Sequence, residues 1–235
     1  MDGNKVFNFL EKNLMGPMGK IASKKVVRAI MGAGMGAIPF TIVGSMFLVF
    51  NVLPMTFPFF FFFFNATFFK FSNLYMLANS TTMGILALYF CIGLGYEYTK
   101  IIAEEDDLNM SPISGALLAM FAFFLSIPQL VFEGGKVVRV NNAKENIING
   151  WAISGDGVAR LGTVGIFTGI IMAVIAVQLY RLCVAKNWVI KMPEQVPEGV
   201  SKAFTALIPA FVVAFVVLLI NGCLVFFNTD IFKLI

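Results

Sequence analysis

The fold is decided by KMPEQVPEGVSKAFTALIPAF (residues 191–211), a short polar passage that runs directly into a long apolar segment. Pro193 and Pro197 cannot continue a preceding helix but suit the first turn of a new one. The acidic Glu198 favours the positive N-terminal end of that helix. Residues 203–227 then carry no charge and exceed the roughly 20 apolar residues that a membrane crossing needs. We therefore expect a membrane boundary here.

The composition indicates that the whole chain is a membrane protein. Of its 235 residues, 59% are hydrophobic and only 13% are charged, and the charges lie between long apolar runs. The formal net charge is +4, but six of the seventeen basic residues lie in the first 28 positions, before the first apolar run. Membrane topology explains that clustering, so no nucleic-acid partner is predicted.

Five apolar segments are long enough to be considered membrane spans. They cover about Val26–Leu53, Leu77–Lys100, Ser111–Phe132, Val158–Val184 and Ala203–Phe227. We predict an all-α integral membrane protein with about five transmembrane helices.

The segment before the first span has its own pattern. Residues 4–14 place apolar side chains on one helical face, which predicts an interfacial amphipathic helix in contact with membrane lipids. A helix docked on the protein itself is the alternative. Gly16, Pro17 and Gly19 are expected to end this helix, so residues 1–25 would form a cytoplasmic interfacial helix and its linker.

Two segments between the spans are predicted not to cross the membrane. Pro54–Phe71 contains the phenylalanine run Phe59–Phe64, and it is too short and too interrupted by proline for an independent crossing. We interpret it as a re-entrant or interface-lying segment. Glu133–Gly155 is the longest polar stretch and predicts a short extracellular hairpin-like loop with a turn at Asn141–Asn142.

Few side chains offer catalytic chemistry. The chain has no histidine, and Cys91, Cys183 and Cys223 show no CxxC spacing, which predicts reduced, packed thiols. Glu97 and the acidic run Glu104–Asp107 are the carboxylates that a membrane enzyme or an ion pore would use. Acid–base catalysis needs two positioned groups with separated pKa values, and carboxylates in a solvated loop lack that arrangement. We predict a solvated loop, with no catalytic residue, metal site or cofactor.

Polar side chains in or near the spans have predicted structural roles. Asn221 lies deep in the fifth span, where it should face protein, either in a hydrogen bond between helices or along a sugar path. Asp156 and Arg160 stand four residues apart and could pair on one helical face. Tyr98 and Tyr180 suit the membrane interface.

Small residues four positions apart predict close helix contacts. Gly32 and Gly36 lie in the first span, and Gly165 and Gly169 lie in the fourth. Helices in lipid associate through close backbone packing, which such spacing permits. These glycines are candidate contacts of a homodimer, or they serve packing within one subunit.

The distribution of Lys and Arg predicts the orientation. With the N-terminus in the cytoplasm, eleven of these residues lie on the inner side and six on the outer side. This excess follows the positive-inside rule, so the N-terminus is predicted to be cytoplasmic and the C-terminal end of the fifth span extracellular.

Several long motifs carry a family resemblance. They are MPEQVPEGVSKAFTALIPAF (192–211), LYMLANSTTMGILALYF (74–90), GYEYTKIIAEEDDLN (95–109), NIINGWAISGDGVARLGTVGIF (146–167) and VQLYRLCVAKNWVIKMPE (177–194). The resemblance covers nearly the whole chain, which resembles the IIC permeases of bacterial phosphotransferase systems, of the lactose/cellobiose type.

The resemblance implies a function that composition alone does not give. Such permeases work as homodimers in the bacterial cell membrane, with cytoplasmic IIB and IIA subunits, and a phosphocysteine of IIB phosphorylates the entering β-linked disaccharide. The family's sugar-holding histidine and glutamate, in HGANI-like and NEP-like motifs, would lie beyond Ile235. Residues 26–235 are therefore expected to be the N-terminal scaffold and dimerisation half, inactive alone, with its substrate-binding residues unknown.

Overall fold

Long apolar helices make up most of the protein. The computed structural model describes residues 16–57, 59, 62, 72–127, 130–139, 153–154, 157–158, 160–193, 195–227 and 229–234. Four helical segments are long and apolar enough to cross a membrane, namely Lys25–Leu53, Ser72–Glu105, Thr163–Ala185 and Gly199–Phe226. A shorter apolar helix accompanies them. The predicted all-α membrane fold is confirmed, with four full-length candidates and one short helix among the described residues.

The first span follows a short helix. Helix α1 (Gly16–Ala22) occupies positions where the sequence predicts a linker, so that prediction is wrong. Pro17 fits there because the first turn of a helix does not need its missing N–H. Helix α2 (Lys25–Thr56) matches the first predicted span. The predicted interfacial helix at residues 4–14 lies outside the described residues.

The second span is broken, whereas the sequence predicts one continuous helix. Helix α3 (Ser72–Thr82) is followed by a 3-10 turn (Met83–Ile85) and helix α4 (Leu86–Glu105). The hydroxyls of Ser80, Thr81 and Thr82 hydrogen-bond to backbone carbonyls one turn earlier. Such bonds compete with the regular helix ladder, which accounts for the break after Thr82. In the phenylalanine-rich stretch that precedes α3, only two residues between 58 and 71 are described.

The third predicted span is too short to cross in helical form. Helix α5 (Pro112–Ser126) has 15 residues, which gives about 22 Å against a hydrocarbon core of about 30 Å. Strands β1 (Leu130–Glu133) and β2 (Lys136–Arg139) then form an antiparallel hairpin. A hairpin is therefore present in this region, but it begins within the predicted span and its turn is not the predicted one.

The hairpin turns at glycines. Gly134 and Gly135 adopt φ values of 59° and 75°, a region that favours glycine. The turn predicted at Asn141–Asn142 lies outside the described residues. Strands β3 (Ile153–Ser154) and β4 (Gly157–Val158) form a second, very small antiparallel pair.

The fourth and fifth spans begin later or differently than predicted. A 3-10 turn (Thr163–Gly165) leads into helix α6 (Ile166–Ala185), so the expected helical start at Val158 is wrong. The fifth span consists of α7 (Glu198–Thr205) and α8 (Leu207–Phe226), which meet at Ala206. Proline at position 209 cannot donate to the carbonyl four residues earlier, which explains this interruption. A last helix, α9, covers Ile231–Leu234.

Helix α4 lies at the centre of the bundle. It packs against α2, α5 and α6, and α8 packs against α5 and α6. The core between these helices contains fully buried Leu94, Phe123, Met172 and Val213. Helix α2 contributes little to this core and exposes most of its surface. Only 11% of the residues in its most apolar stretch are buried. One face of α2 is therefore available for lipid or protein.

Candidate functional site

One end of the bundle carries a group of ion pairs, which we call the Asp106 cluster (Lys25, Arg28, Glu105, Asp106 and Arg181). Lys25, at the start of α2, donates to the Asp106 carboxylate and lies 3.4 Å from Glu105 Oε2. Arg28 donates to Glu105. Arg181 Nη2, near the end of α6, lies 2.9 Å from Asp106 Oδ2. The cluster connects α2, α4 and α6 at one end of the bundle.

The pairing fixes the charge of Asp106. The hydrogen bond from Lys25 lowers the pKa of the Asp106 carboxyl below its ordinary value, and the positive charge of Arg181 lowers it further, against a smaller effect of burial. The prediction of a solvated acidic loop is therefore wrong for Glu105 and Asp106. Both carboxylates are held by cations between helices. They do not form the pair with separated pKa values that an acid–base enzyme requires.

The remaining acidic residues of the run have different surroundings. Glu104 lies in the last turn of α4 and not in a loop, but its side chain and that of Asp107 are exposed, as the sequence predicts. Among the described residues, no group of three His, Cys, Asp or Glu side chains could hold a metal ion. Within the acidic run, Glu105 and Asp106 connect α4 to α2 and α6 through ion pairs.

A cleft of about 500 Å³ opens between α2, α4 and α5, and we call it the Glu97 cleft. The rings of Phe40 and Tyr89 stack in it with centroids 4.1 Å apart. The Glu97 side chain lies over Gly32, where a Cβ would be 3.1 Å from Glu97 Cγ. A carboxylate within a spanning helix is a functional candidate, and here a glycine makes room for it. The lining of the cleft includes Gly32, Gly36, Phe40, Tyr89, Tyr96 and Glu97.

The four candidate glycines differ in their contacts. A Cβ at Gly165 would lie 2.0 Å from the Arg160 carbonyl oxygen, and one at Gly169 would lie 3.4 Å from Cys91 Cβ. These two glycines therefore serve contacts within one chain, in agreement with the alternative that the sequence leaves open. Gly32 contacts Glu97 of the same chain, whereas a Cβ at Gly36 would meet nothing within 4 Å.

The closest helix contact was not predicted from the sequence. A Cβ at Gly115 of α5 would lie 1.8 Å from Thr99 Oγ1 of α4, and one at Gly95 of α4 would lie 2.6 Å from Ala119 Cβ. Helices α4 and α5 thus approach through small residues on both sides. Gly115 and Ala119 stand four positions apart in GALLA (115–119), and this spacing could have revealed the contact.

Buried polar side chains connect the helices. Asn221 Nδ2 of α8 donates to the Leu125 carbonyl of α5 at 2.9 Å, which confirms the predicted hydrogen bond between helices. Gln178 donates to the Tyr98 hydroxyl, and the Ser111 amide donates to the Tyr180 hydroxyl at 3.1 Å. Tyr98 and Tyr180 are both buried, so their side chains face the interior of the bundle and not the surrounding lipid. Their hydroxyls are used inside the bundle.

An ion pair secures the opposite end of the bundle. Arg160 lies in a turn before α6, not on a helical face, so the predicted helical pairing with Asp156 is wrong in its premise. Asp156 itself lies outside the described residues. Arg160 Nη2 lies 3.0 Å from Asp230 Oδ2, and its guanidinium stands 4.3 Å from the centre of the Phe232 ring. The pair joins α6 to the segment that follows α8.

The thiols follow the prediction in part. Cys91 and Cys183 are free and buried, as expected for packed thiols, whereas Cys223 is free and exposed on α8. An exposed side chain on this helix faces outward from the bundle.

Comparison with known proteins identifies the family. A family model described as phosphotransferase system, EIIC, matches residues 31–235, which include the Glu97 cleft and the Arg160–Asp230 pair. The chain belongs to the phosphotransferase system EIIC family. The resemblance in the sequence motifs is thereby confirmed.

Relatives of this EIIC chain include sugar permease components. The oligo-beta-mannoside-specific EIIC component of Bacillus subtilis (strain 168) is 32% identical over 232 residues, which cover 98% of this chain and 47% of the relative. The lactose-specific EIICB component of Streptococcus mutans serotype c is 29% identical over 187 residues, covering 79% of this chain and 28% of the relative.

A solved structure shares the fold. The crystal structure of the transporter ChbC, the IIC component from the N,N'-diacetylchitobiose-specific phosphotransferase system, matches with a TM-score of 0.71 and 30% identity. The match covers 92% of this EIIC chain and 46% of ChbC. The chain thus spans about half the length of the curated EIIC relative from B. subtilis.

Proposed function

We propose that this chain is part of the membrane permease component of a phosphoenolpyruvate-dependent phosphotransferase system for β-linked disaccharides such as cellobiose. The supporting observation is the match along nearly the whole chain to EIIC components, whose names specify oligo-beta-mannoside or N,N'-diacetylchitobiose. A shared fold alone would not support a substrate, but these relatives agree on the type of sugar linkage. In this function the sugar is phosphorylated as it enters the cell.

Residues 26–235 act in this proposal as the scaffold half of the permease. The helices around α4 are joined at one end by the Asp106 cluster and at the other by the Arg160–Asp230 pair, which suits a rigid support. The chain has no histidine, and the histidine and glutamate with which the family holds sugar would lie outside residues 1–235. The chain alone would then be inactive. The alternatives of a membrane enzyme or an ion pore are disfavoured because Glu105 and Asp106, in the middle of the acidic run, are engaged in ion pairs.

The orientation and the soluble partners belong to the same proposal. The Asp106 cluster end would face the cytoplasm, because most Lys and Arg residues lie at that end. IIB and IIA subunits would act there. The S. mutans relative is named an EIICB component, which supports a IIB partner for this chain.

A two-part phosphorylation assay tests the permease proposal. Membrane vesicles would contain either this chain alone or this chain together with the second half of the B. subtilis relative, supplied as a separate polypeptide. Phosphoenolpyruvate, the general phosphotransferase proteins, IIA, IIB and radiolabelled cellobiose are then added. We expect sugar phosphate only when both halves are present. Sugar phosphate from the chain alone would refute the scaffold role, and none from co-purifying halves would refute the permease assignment.

We also propose that the chain forms a homodimer through the outer face of α2. Met35 and Ile42 of this face are 66% and 60% exposed. Gly36 lies at the edge of the face, beside the Glu97 cleft, and nothing lies within 4 Å of the position that a Cβ there would take. A helix from a second copy could approach closely at such a position. Gly165 and Gly169 are not part of this proposal, since their contacts lie within one chain.

Size-exclusion chromatography with light scattering, in mild detergent, tests the dimer. A Gly36→Leu change should convert the dimer to a monomer by keeping the two backbones apart. Gly222→Leu is the matched control, because a Cβ at Gly222 of α8 also meets nothing within 4 Å. A wild-type chain that is monomeric in several detergents and in nanodiscs would refute the dimer, as would equal behaviour of the two variants.

A further inference from the structure

A small polar pocket lies at the Asp106 cluster end of the bundle. Its volume is about 100 Å³. Tyr180 is 1% exposed, and its hydroxyl accepts a hydrogen bond from the Ser111 amide and also hydrogen-bonds with the Ser114 side chain, which fixes it at the base of the pocket. Lys202 contributes a positive charge at the rim. The polar pocket is defined here by Asn109, Ser111, Tyr180, Ser201, Lys202 and Thr205.

An apolar groove of about 640 Å³ continues from this pocket and shares Ser111 and Lys202 with it. One wall is formed by Ile113, Leu117 and Phe121, which repeat every four residues along α5. Their side chains are 65%, 55% and 39% exposed. The other wall consists of small and apolar residues of α7 and α8, namely Ala203, Ala206, Leu207 and Ala210.

The polar pocket and the apolar groove together match the two parts of an amphiphile, a polar headgroup and an apolar chain. The groove follows eight residues of α5, which is about 12 Å at 1.5 Å per residue. Its polar lining residues, Ser111, Ser114 and Lys202, are too few for the many hydroxyls of a disaccharide. The polar pocket is far smaller than the roughly 300–1,000 Å³ of ordinary ligand sites. A disaccharide therefore fits neither space. An acyl chain beside a compact polar headgroup fits both.

We propose that the pocket and the groove bind one anionic phospholipid. The phosphate lies in the polar pocket, where the Lys202 ammonium and the Ser201 and Ser111 hydroxyls can donate to its oxygens. An acyl chain lies in the groove against Leu117 and the other wall residues. Lys202 makes the charge complementary to an anionic headgroup, since basic residues near the membrane surface attract such lipids. The groove shares Ile113 and Leu117 of α5 with the Glu97 cleft, but the polar pocket is separate from that cleft, and the inference does not depend on sugar transport.

Native mass spectrometry of the purified chain tests this site. The chain in detergent is titrated separately with phosphatidylglycerol and with phosphatidylcholine of the same acyl chains. We expect tighter binding of phosphatidylglycerol, and a loss of about fivefold in its affinity for Lys202→Gln, since one basic residue near the surface contributes on the order of 1 kcal/mol. Lys186→Gln is the matched control, because Lys186 is also exposed and basic but lies outside the pocket and the groove.

A second variant separates a lipid from a free phosphate. Ala206→Phe should fill the groove and weaken both lipids, whereas it should leave binding of inorganic phosphate at the pocket unchanged. If this variant does not purify as a folded helical protein by circular dichroism, Ala203→Phe, at an exposed position of the same wall, takes its place. If the lipids still bind when the groove is filled, the acyl chain does not lie in the groove and the proposal is overturned.

Two other results would also overturn it. One is equal affinity of the wild-type chain for the two lipids. The other is an equal loss in Lys202→Gln and Lys186→Gln, which would indicate general attraction to a basic surface. Failure of the wild-type chain to retain either lipid would leave the groove as a contact surface for protein and would refute a lipid site.

Discussion

A change of Gly95 to alanine tests the close crossing of α4 and α5. The new Cβ would lie 2.6 Å from Ala119 Cβ, 2.9 Å from Ala116 Cα and 2.9 Å from the Gly115 carbonyl oxygen. Two of these three atoms belong to the backbone of α5, so no side-chain rotation can relieve the clash. The two helices would have to separate along their whole contact.

The expected magnitude comes from a comparison with a glycine in open surroundings. Alanine favours a helix over glycine by up to about 1 kcal/mol, and this gain applies to both positions. At Gly222 of α8 nothing lies within 4 Å of the new Cβ, so Gly222→Ala should show this gain alone. Overpacking typically costs about 1–3 kcal/mol, so Gly95→Ala should be less stable than Gly222→Ala by about that amount.

Unfolding in mixed micelles with increasing sodium dodecyl sulfate, followed by circular dichroism, measures this difference. Adding Ala119→Gly to Gly95→Ala should restore only part of the stability, because it removes the 2.6 Å contact but leaves the two backbone contacts. If Gly95→Ala unfolds together with Gly222→Ala, then α4 and α5 do not cross as closely as described, and the reasoning fails.

Three further predictions concern ion pairs and orientation. Arg160→Met should destabilise the chain by on the order of 3 kcal/mol, because it leaves the mostly buried Asp230 carboxylate without this cation. In thermal unfolding, the double variant Arg160→Met with Asp230→Leu should recover much of the lost stability. Since the pKa of Asp106 is lower in the folded than in the unfolded chain, its contribution to stability is complete above its ordinary pKa and is lost as the pH falls from about 4 through the folded value. The melting temperature of the wild type should thus fall more steeply in that range than that of Asp106→Asn, and parallel curves would contradict this. In a Cys223→Ser background, cysteine at Gln195 should react with a membrane-impermeant thiol reagent only in inverted vesicles, and labelling of intact cells would reverse the topology.

Local sequence patterns predicted several elements well. The lengths of the first, fourth and fifth spans depend only on runs of consecutive apolar residues. The thickness of the bilayer requires such runs whatever the helices pack against. A hairpin between the third and fourth spans was likewise predicted, although its observed turn lies at Gly134 and Gly135 and not at Asn141–Asn142. The break after Thr82 was missed because isolated Ser and Thr residues also occur in continuous helices, so their effect depends on how many bond back to the ladder.

The candidate sites could be predicted only in part. Gly32 was selected for its spacing, but its neighbour Glu97 belongs to another helix, and no local pattern links the two. Glu97 itself was considered only as an enzyme carboxylate. Asn221 was predicted correctly, because an amide deep in an apolar helix has few alternatives to a partner on a neighbouring helix.

The sequence by itself determined the class of the protein, four of its long apolar helices and its family, since each depends on composition, length or consecutive residues. The tertiary structure decided the partners. Asp106 pairs with Lys25, 81 positions away, and Arg160 pairs with Asp230, 70 positions away, whereas sequence spacing suggested a solvated loop and a local pair. A residue's preference for lipid or water follows from its own chemistry, but the direction in which it points is fixed only when the helices pack around α4.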